Sequence, residues 1–431
     1  INETYKYLGF QQNRKINHTS IKNHLKEQYK HRLVKILKSS LNSKNLFKAI
    51  NTFAIPVLTY SFGIIKWTPT ELESINILTR TQLTKHRKHH PNSCKERITI
   101  ERQNGGRGLI DIHKLHLKQI KTLREYFHNK HTSLHTAITS ADKNYTPLNL
   151  SDHQERQPSK HVQTQQEKLE NWAQKNLHSR HIHIINNEQI NKHDSYSWLQ
   201  QGQLFPETEG FILAIQDQVI ATRNYQKYII KNTEYNNDSC RKCHQHPETI
   251  DHIIGGCKIL AGTAYTDRHN IAAKIIHQAI AIKYNLITEH TPYYNYTPIA
   301  ILENTNYKLY YDITIHTDKT VICNRPDITL QDKDQNITYL IDVAIPIDAN
   351  TVKKYADKIE KYTELAIEVE RIWRQKQVHI IPFIISTTGI THKTFKQHLQ
   401  QLDLDTYTHH HIQKAVILKT CSITRTFLRN N

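Results

Sequence analysis

Methionine is absent from the 431 residues, and no apolar run approaches the roughly 18 residues that a membrane-spanning helix needs. The chain begins at Ile1 with polar residues, without the basic and apolar regions of a secretory signal. We therefore expect a soluble protein with no membrane partner. The lack of an initiating Met predicts a fragment whose N-terminal partner is missing.

Acidic residues are scarce relative to basic ones, with 39 Asp and Glu against 58 Lys and Arg, a net charge of +19. Such a surplus favours a polyanionic partner, of which nucleic acid is the most common. The alternative is a basic surface that binds no polyanion. The 30 histidines add positive charge only if the pH falls or their pKa values rise.

Cysteine occurs only six times, and the spacing of three cysteines excludes a disulfide framework and indicates a metal site in a reducing compartment. A C-x2-C-x8-H-x4-C pattern supplies three thiolates and one imidazole, namely Cys240, Cys243, His252 and Cys257. This set suits a closed tetrahedral structural Zn²⁺. His244 and His246 are competing ligands, and a buried cysteine pair without metal is the alternative.

The residues around this cluster are expected to serve it in two ways. Gly255 and Gly256 precede the last ligand and should let the backbone curl to bring it in. Arg241 and Lys242 follow the first ligand and should be presented to a nucleic acid. The module is expected to fold around its metal.

Residues 1–130 are predicted to be mostly helical with one basic face. After Ser20 as N-cap, an apolar stripe follows at helical spacing: Ile21, Leu25, Tyr29, Leu33 and Ile36. Lysines are expected to project away from it: Lys22, Lys26, Lys30 and Lys35. Thr68-Pro69-Thr70-Glu71 is a capping box that predicts another helix, burying Leu72, Ile75 and Leu78.

The rest of the chain changes character near residue 300. Residues 131–235 predict a helical linker with a polar loop over 151–166 and short helices around Trp172 and Trp198. A helix is predicted over 266–288. Strands then follow at 307–315, 327–330, 339–345 and 378–385, with a helix over 351–374, and this alternation indicates an α/β domain.

Two aspartates of this domain carry the strongest chemical signal. Asp327 starts one strand, residues 332–336 predict a turn, and Asp342 lies in the returning strand. A carboxylate in an apolar strand costs on the order of several kcal/mol unless it is paired or binds metal. A hairpin would bring both carboxylates side by side, which suits Mg²⁺ with a phosphate oxygen. The alternative is an exposed hairpin with two ordinary acids.

In nucleases that bring two acids together on a hairpin, a lysine usually stands two residues after the second acid. Here Ala344 occupies that position. The following helix offers Lys358 and Lys361 on one face with Tyr355 and Tyr362. Either lysine could position or deprotonate the attacking water. A further metal-shell acid is left open, with Glu303 as a candidate.

In this order, the motifs resemble the C-terminal half of the Pol polyprotein (reverse transcriptase plus restriction-like endonuclease) of site-specific non-LTR retrotransposons. The resemblance covers nearly the whole chain. Tyr5-Lys6-Tyr7-Leu8-Gly9 is similar to the last motif of the reverse-transcriptase palm, and residues 54–63 and 105–109 are similar to the thumb and its exit. Residues 105–108 could also be a simple turn.

The later motifs continue the resemblance. The cysteine cluster is similar to the family's CCHC zinc knuckle, and Arg268-His269-Asn270 to a motif that follows it. Arg325-Pro326-Asp327, Asp342 and the segment with Lys358, Lys361 and Tyr362 are similar to the family's endonuclease, including a lysine displaced onto a helix.

The resemblance implies a multidomain α+β protein. Residues 1–130 would be the end of the palm and the thumb, 131–235 a helical linker, 236–265 the zinc knuckle, and 266–431 a restriction-like PD-(D/E)xK endonuclease. It implies a nuclear enzyme that nicks target DNA with Mg²⁺, using Asp327, Asp342, Lys358 and Lys361, and leaves a 3′-hydroxyl for reverse transcription of the element RNA. The polymerase acids would lie upstream, so this fragment should grip an RNA–DNA duplex without polymerising.

Two other functions compete with the nickase. A catalytically dead remnant would hold nucleic acid through its zinc knuckle and basic helices without cutting it. A zinc-stabilised structural protein would have no nucleic-acid partner at all. The presence of both acids and both helix lysines favours the nickase.

Overall fold

The computed structural model describes residues 5–7, 10–12, 16–154 and 161–429, which form a mixed α+β chain. The chain divides into two compact units. Unit 1 comprises Ile1–Trp172 and Gln201–Gly210, and unit 2 comprises Ala173–Gln200 and Phe211–Asn431. Across the described ranges, none of the helices combines the length and the apolar character required to cross a membrane.

Unit 1 is predominantly helical. Its short strands β1 (Tyr5–Tyr7) and β2 (Phe10–Gln12) pair antiparallel, and the rest of the predicted palm motif, Leu8 and Gly9, lies outside the described residues. The helices are α1 (His18–Leu37), α2 (Ser43–Ala49), α3 (Pro56–Thr59), α4 (Pro69–Lys85), α5 (Ile112–His128), α6 (Ser133–Ala141) and α7 (Gln165–Ala173). Single turns of other helix types lie at Ile50–Ala54, Lys95–Ile98 and Arg102–Asn104.

The predicted apolar stripe of α1 is confirmed where α1 packs on α4, but two predictions about its polar residues are wrong. The α1 N-cap is Asn17, whose side chain accepts from the backbone of Ser20, so Ser20 is not the cap. The capping box at Thr68 and Glu71 is confirmed. Lys22 was expected at the surface but is buried. Glu71, 2.7 Å from its ammonium, supplies the counter-charge that offsets the cost of this burial.

A buried charged cluster ties the segment Gln201–Gly210 to the rest of unit 1. Arg107 and Glu209 are both 0% exposed, and Nε of Arg107 donates to Oε1 of Glu209 at 2.9 Å. Arg102 also pairs with Glu209, and the hydroxyl of Ser43 donates to it at 2.5 Å. Burial alone would raise the pKa of Glu209, but the two guanidinium groups lower it, so the carboxylate stays charged.

Unit 2 contains a five-stranded sheet and most of the remaining helices. The strands are β3 (Ile301–Glu303), β4 (Tyr307–Tyr311), β5 (Ile328–Asp332), β6 (Ile337–Ala344) and β7 (Gln377–Ile384). The helices after α7 are α8 (Ser179–Ile185), α9 (Lys192–Ser195), α10 (Ser197–Gln201), α11 (Pro206–Gln216), α12 (Arg223–Tyr225), α13 (Lys258–Leu260), α14 (Thr266–Lys283), α15 (Thr351–Ile372), α16 (Phe395–Gln401) and α17 (Thr406–Arg429). Single turns lie at Gln226–Ile230, His252–Gly256, Ala261–Tyr265 and Asp348–Asn350.

The sheet has the order β3-β4-β5-β6-β7, antiparallel up to β6 and parallel between β6 and β7. The parallel pair is joined by α15, as a crossover connection requires. Helices cover both faces, which explains why β6 is apolar almost throughout. Ile341 and Val343 pack in the core with α14 and α17, and Leu340 packs in the core with α15.

The predicted strands of unit 2 are confirmed with shifted ends. The strand expected over 307–315 ends at Tyr311, because Asp312 takes a left-handed backbone conformation with φ of 54°. The helix expected over 351–374 is α15, and the helix expected over 266–288 ends at Lys283. The polar loop predicted over 151–166 gives way to α7 at Gln165, and residues 155–160 lie outside the described part.

Candidate functional site

The predicted hairpin between the strands that carry the two aspartates is present as the antiparallel pair β5–β6. The paired register of β5 and β6 ends at Ile328 and Ile341, so Asp327 precedes this pair on one strand and Asp342 follows it on the other. The backbone amide of Val343 donates to Oδ2 of Asp327 at 2.7 Å, which ties Asp327 to the end of β6.

Asp342 is buried at 2% exposure and faces α15, since it alternates with Ile341 and Val343 along β6. Nζ of Lys358 lies 2.5 Å from its Oδ2. Oδ2 is therefore a buried carboxylate oxygen whose charge a lysine of α15 compensates.

The second oxygen of Asp342 meets a tyrosine and the other lysine of α15. The hydroxyl of Tyr362 donates to Oδ1 at 2.6 Å, and Nζ of Lys361 donates to that hydroxyl at 2.8 Å. Nζ of Lys361 lies 3.7 Å from Oδ1 itself. Burial, followed by the charge of Asp342, raises the pKa of Tyr362, so its phenol keeps its proton. Lys358 and Lys361 thus both lie beside Asp342.

Asp327 has a partner that the candidate set did not include. Nε2 of His269, on α14, lies 3.0 Å from Oδ2 of Asp327. Burial alone would lower the pKa of His269, but the hydrogen bond and charge of Asp327 raise it to about 9. Burial alone would raise the pKa of Asp327, but the same histidine lowers it, with smaller contributions from Val343 and Lys358.

The two aspartates also act on the same neighbours. Asp342 contributes to the raised pKa of His269, and Asp327 contributes to the raised pKa of Tyr362, behind the larger effects already named. Each carboxylate is therefore within electrostatic reach of the other's partner. The arrangement is one connected charged site at the end of the hairpin.

Glu303 does not belong to this site. Across the sheet, Glu303 pairs with Lys308, Lys308 with Gln331, and Gln331 with Thr338. This row of residues lies close to the turn between β5 and β6. Gln331 is four residues from Asp327, which corresponds to roughly 13 Å along a strand. Glu303 instead pairs with Lys333 and Lys308, at 2.6 and 3.1 Å.

The four predicted zinc ligands come together in unit 2. One ligand atom from each of Cys240, Cys243, His252 and Cys257 lies within 4.8 Å of the others. The sulfurs of Cys240 and Cys257 are 3.9 Å apart, and the Cys243 sulfur is 3.3 Å from Nε2 of His252. Ligands about 2.0–2.3 Å from a tetrahedral Zn²⁺ would have edges of about this length. The competing His244 and His246 are exposed.

The chemistry of the donors also suits a metal. Burial raises the pKa of the Cys240 thiol to about 11, so a nearby cation is needed to keep it as thiolate at neutral pH. Burial would raise the pKa of Cys243 as well, but the backbone N–H groups of Gln245 and His246 lower it. This Cys3His group can bind a metal such as zinc.

One expectation about the surroundings of the cluster is wrong. Arg241 is not presented to a ligand, because its guanidinium pairs with the buried Glu248 at 2.8 Å and lies over the ring of Phe427. Gly255 has no left-handed backbone. A Cβ on Gly255 would lie 2.5 Å from Cγ2 of Ile347, so close approach is what requires glycine there.

The sequence held one signal for the missed residue. His269 is part of Arg268-His269-Asn270, which resembles a motif of the family but carries no predicted role. Its spacing from Asp327 along the chain gives no hint of contact, since 58 residues separate them. Comparison of the sequence with protein-family models and with curated proteins gave no match, so the assignment of function depends on the geometry above and on the motifs.

Proposed function

We propose that this chain is a metal-dependent DNA endonuclease that nicks one strand of its target. The observation that carries the proposal is the buried Asp342, whose carboxylate meets Lys358, Lys361 and Tyr362 beside Asp327. A purely structural ion pair needs one counter-charge. Two lysines and a second aspartate at one strand end are better explained by a site that handles a phosphate and a cation.

The carboxylates fit a hard divalent cation. Oδ2 of Asp342 is buried against the ammonium of Lys358, and Oδ2 of Asp327 is held by Val343 and His269, which leaves the other oxygen of Asp327 for a cation. Oxygen ligands of this kind are those that Mg²⁺ prefers. Mg²⁺ bound there would polarise a phosphodiester and lower the pKa of a bound water.

The lysines supply the positive charge that a scissile phosphate requires. The side chain of Lys361 is 35% exposed and that of Lys358 is 14% exposed, so both remain open to a ligand. We assign Lys358 the closer contact with Asp342. We assign Lys361, which donates to Tyr362, to the phosphate or the attacking water.

The wider assignment follows from the order of the motifs. The palm-like, thumb-like, zinc and endonuclease segments support a C-terminal part of a non-LTR retrotransposon Pol polyprotein that acts in the nucleus. Its partners would be target DNA and the element RNA, with an RNA–DNA duplex held by unit 1. The net charge of +19 supports polyanionic partners of this kind. The Cys3His group would hold structural zinc.

Nicking of supercoiled plasmid DNA in Mg²⁺ tests the proposal. We expect the full chain to convert supercoiled to open-circular DNA, and Asp342→Asn to abolish this while DNA binding persists. Glu303→Gln is the matched control, because Glu303 is an acid of the same sheet away from the site. We expect it to nick like the unaltered chain.

Lysine variants of α15 test the proposed roles of Lys358 and Lys361 in the same assay. Lys358→Met and Lys361→Met should each slow nicking, whereas Lys354→Met, on the same helix and 3.7 Å from Asp357, should not. DNA binding without any nicking by the unaltered chain would contradict the proposal and favour a catalytically dead binding remnant.

A further inference from the structure

One side chain near the candidate site has no place in the proposed chemistry. His269 lies on α14, on the opposite side of the sheet from α15, and reaches the end of the hairpin between Asp327 and Val343. Its side chain is 31% exposed, so it is neither a free surface group nor a core residue.

The contacts of His269 fix which atoms donate. Nε2 lies 3.0 Å from Oδ2 of Asp327 and 3.1 Å from the carbonyl oxygen of Val343. Both are acceptors, so Nε2 must carry a hydrogen. Nδ1 lies 3.2 Å from the side-chain oxygen of Asn270, which helps to hold the ring plane.

These contacts constrain Asp327 from two sides. Its Oδ2 accepts from Nε2 of His269 and from the backbone N–H of Val343 at 2.7 Å. Two donors on one oxygen fix the carboxylate plane, and among the described residues nothing donates to Oδ1. The oxygen left for a cation is therefore the one on the far side from His269.

We infer that His269 is a positioning residue, which holds the Asp327 carboxylate in the orientation that binds the divalent cation. This inference rests on the proposed function and adds a residue from a different helix to its site. Hydrogen bonds to a metal-binding group orient it, and their loss typically weakens metal affinity or activity about 10–100-fold. His269 touches neither the phosphate nor the cation.

Mn²⁺ binding to the full chain, followed by electron paramagnetic resonance, tests this inference without depending on nicking. Asp327→Asn gives the baseline for Mn²⁺ bound elsewhere on the protein. We expect His269→Leu, which removes the donor, to weaken Mn²⁺ binding about 10–100-fold. His269→Gln should stay much closer to the unaltered chain, because its amide N–H can replace Nε2. The Mg²⁺ concentration for half-maximal nicking should shift in the same order.

His277→Leu controls for damage to α14. His277 lies on the same helix, is 0% exposed, and contacts Tyr296 at 2.8 Å, so its loss should leave Mn²⁺ binding unchanged. Equal Mn²⁺ affinity for His269→Leu and the unaltered chain, or equal losses for the Leu and Gln variants, would overturn the inference.

The outcomes also separate the inference from the proposed function. Ranked Mn²⁺ affinities without any DNA nicking would support the role of His269 and reject the nickase. Absence of Mn²⁺ binding by the unaltered chain above the Asp327→Asn baseline would reject both.

Discussion

Two sets of buried charged side chains in this protein have opposite charges within contact distance. Asp342 meets Lys358 and Lys361, and Glu209, at 0% exposure, meets Arg102 and Arg107. Taking one member of such a set away leaves the others buried without compensation, which typically costs about 3–5 kcal/mol. The two sets differ in their proposed roles, because the first is proposed to bind a cation and a phosphate, whereas Arg107 and Glu209 of the second are fully buried.

Glu209→Ala should therefore destabilise the protein without touching the candidate site. We expect the free energy of unfolding to fall by about 3–5 kcal/mol, because Arg107 stays fully buried. Urea denaturation followed by circular dichroism measures the change. Glu170→Ala, at an exposed glutamate of α7, should change it by less than about 0.5 kcal/mol. Equal midpoints for the two variants would contradict the expectation.

At this scale the sequence predicted the residues but not all of their partners. The apolar neighbours of Asp342 correctly indicated a carboxylate that needs a positive partner. Lys22 and Arg241 were expected at the surface, because helical spacing and a turn position say nothing about Glu71 and Glu248. Lys22 and Glu71 are 49 residues apart, so only the tertiary fold brings them together.

At the scale of elements, the Cys3His group lies against the connection between β6 and α15, which carry the two halves of the candidate site. Gly255 approaches Ile347, which lies between β6, with Asp342, and α15, with Lys358. Cys240, Cys257 and Ile253 pack with Phe427 of α17, so the cluster is part of the core of unit 2. The hydroxyl of Tyr265 donates to the carbonyl of Ile253 at 2.7 Å, just before α14 begins.

Gly255→Ala should disturb the candidate site through this connection. The added Cβ would lie 2.5 Å from Cγ2 of Ile347, so Ile347, which lies between β6 and α15, has to shift. We expect slower nicking with an unchanged zinc content, measured by atomic absorption, and partial recovery in the double variant with Ile347→Ala.

Gly262→Ala is the matched control for this variant, since a Cβ on Gly262 would meet nothing within 4 Å. It should nick like the unaltered chain. Unchanged nicking by Gly255→Ala, or loss that Ile347→Ala does not relieve, would show that the zinc cluster and the site are independent.

The sequence predicted best the central strands, whose two faces are both covered by helices, and the long amphipathic helix α15. Strands β5 and β6 were expected from their apolar residues and the polar turn between them, and α15 from its long amphipathic pattern. The edge strand β3 and the helix α17 were not predicted. β3 is three residues long with both ends exposed, and α17 carries many Thr and His residues, whose intrinsic helix propensity is low.

At the scale of the whole molecule, the charge of +19 predicts how nucleic acid is bound. Binding that neutralises phosphates releases counterions, so affinity falls as salt rises. If about 6–10 phosphates are contacted, affinity for duplex DNA should drop about 10³–10⁵-fold between about 50 and 200 mM salt. Fluorescence anisotropy with a labelled duplex measures this slope. A salt-independent affinity would favour a structural protein without a nucleic-acid partner.

The short return of the chain to unit 1 at Gln201–Gly210 has a consequence for how such a protein can be divided. A polypeptide that stops at Trp172 leaves Arg107 enclosed without Glu209, and one that starts at Ala173 carries ten residues whose packing partners are gone. No single breakpoint yields two self-sufficient halves. Gene fusion, exon exchange or laboratory dissection would therefore have to transplant the ten-residue segment along with the N-terminal unit.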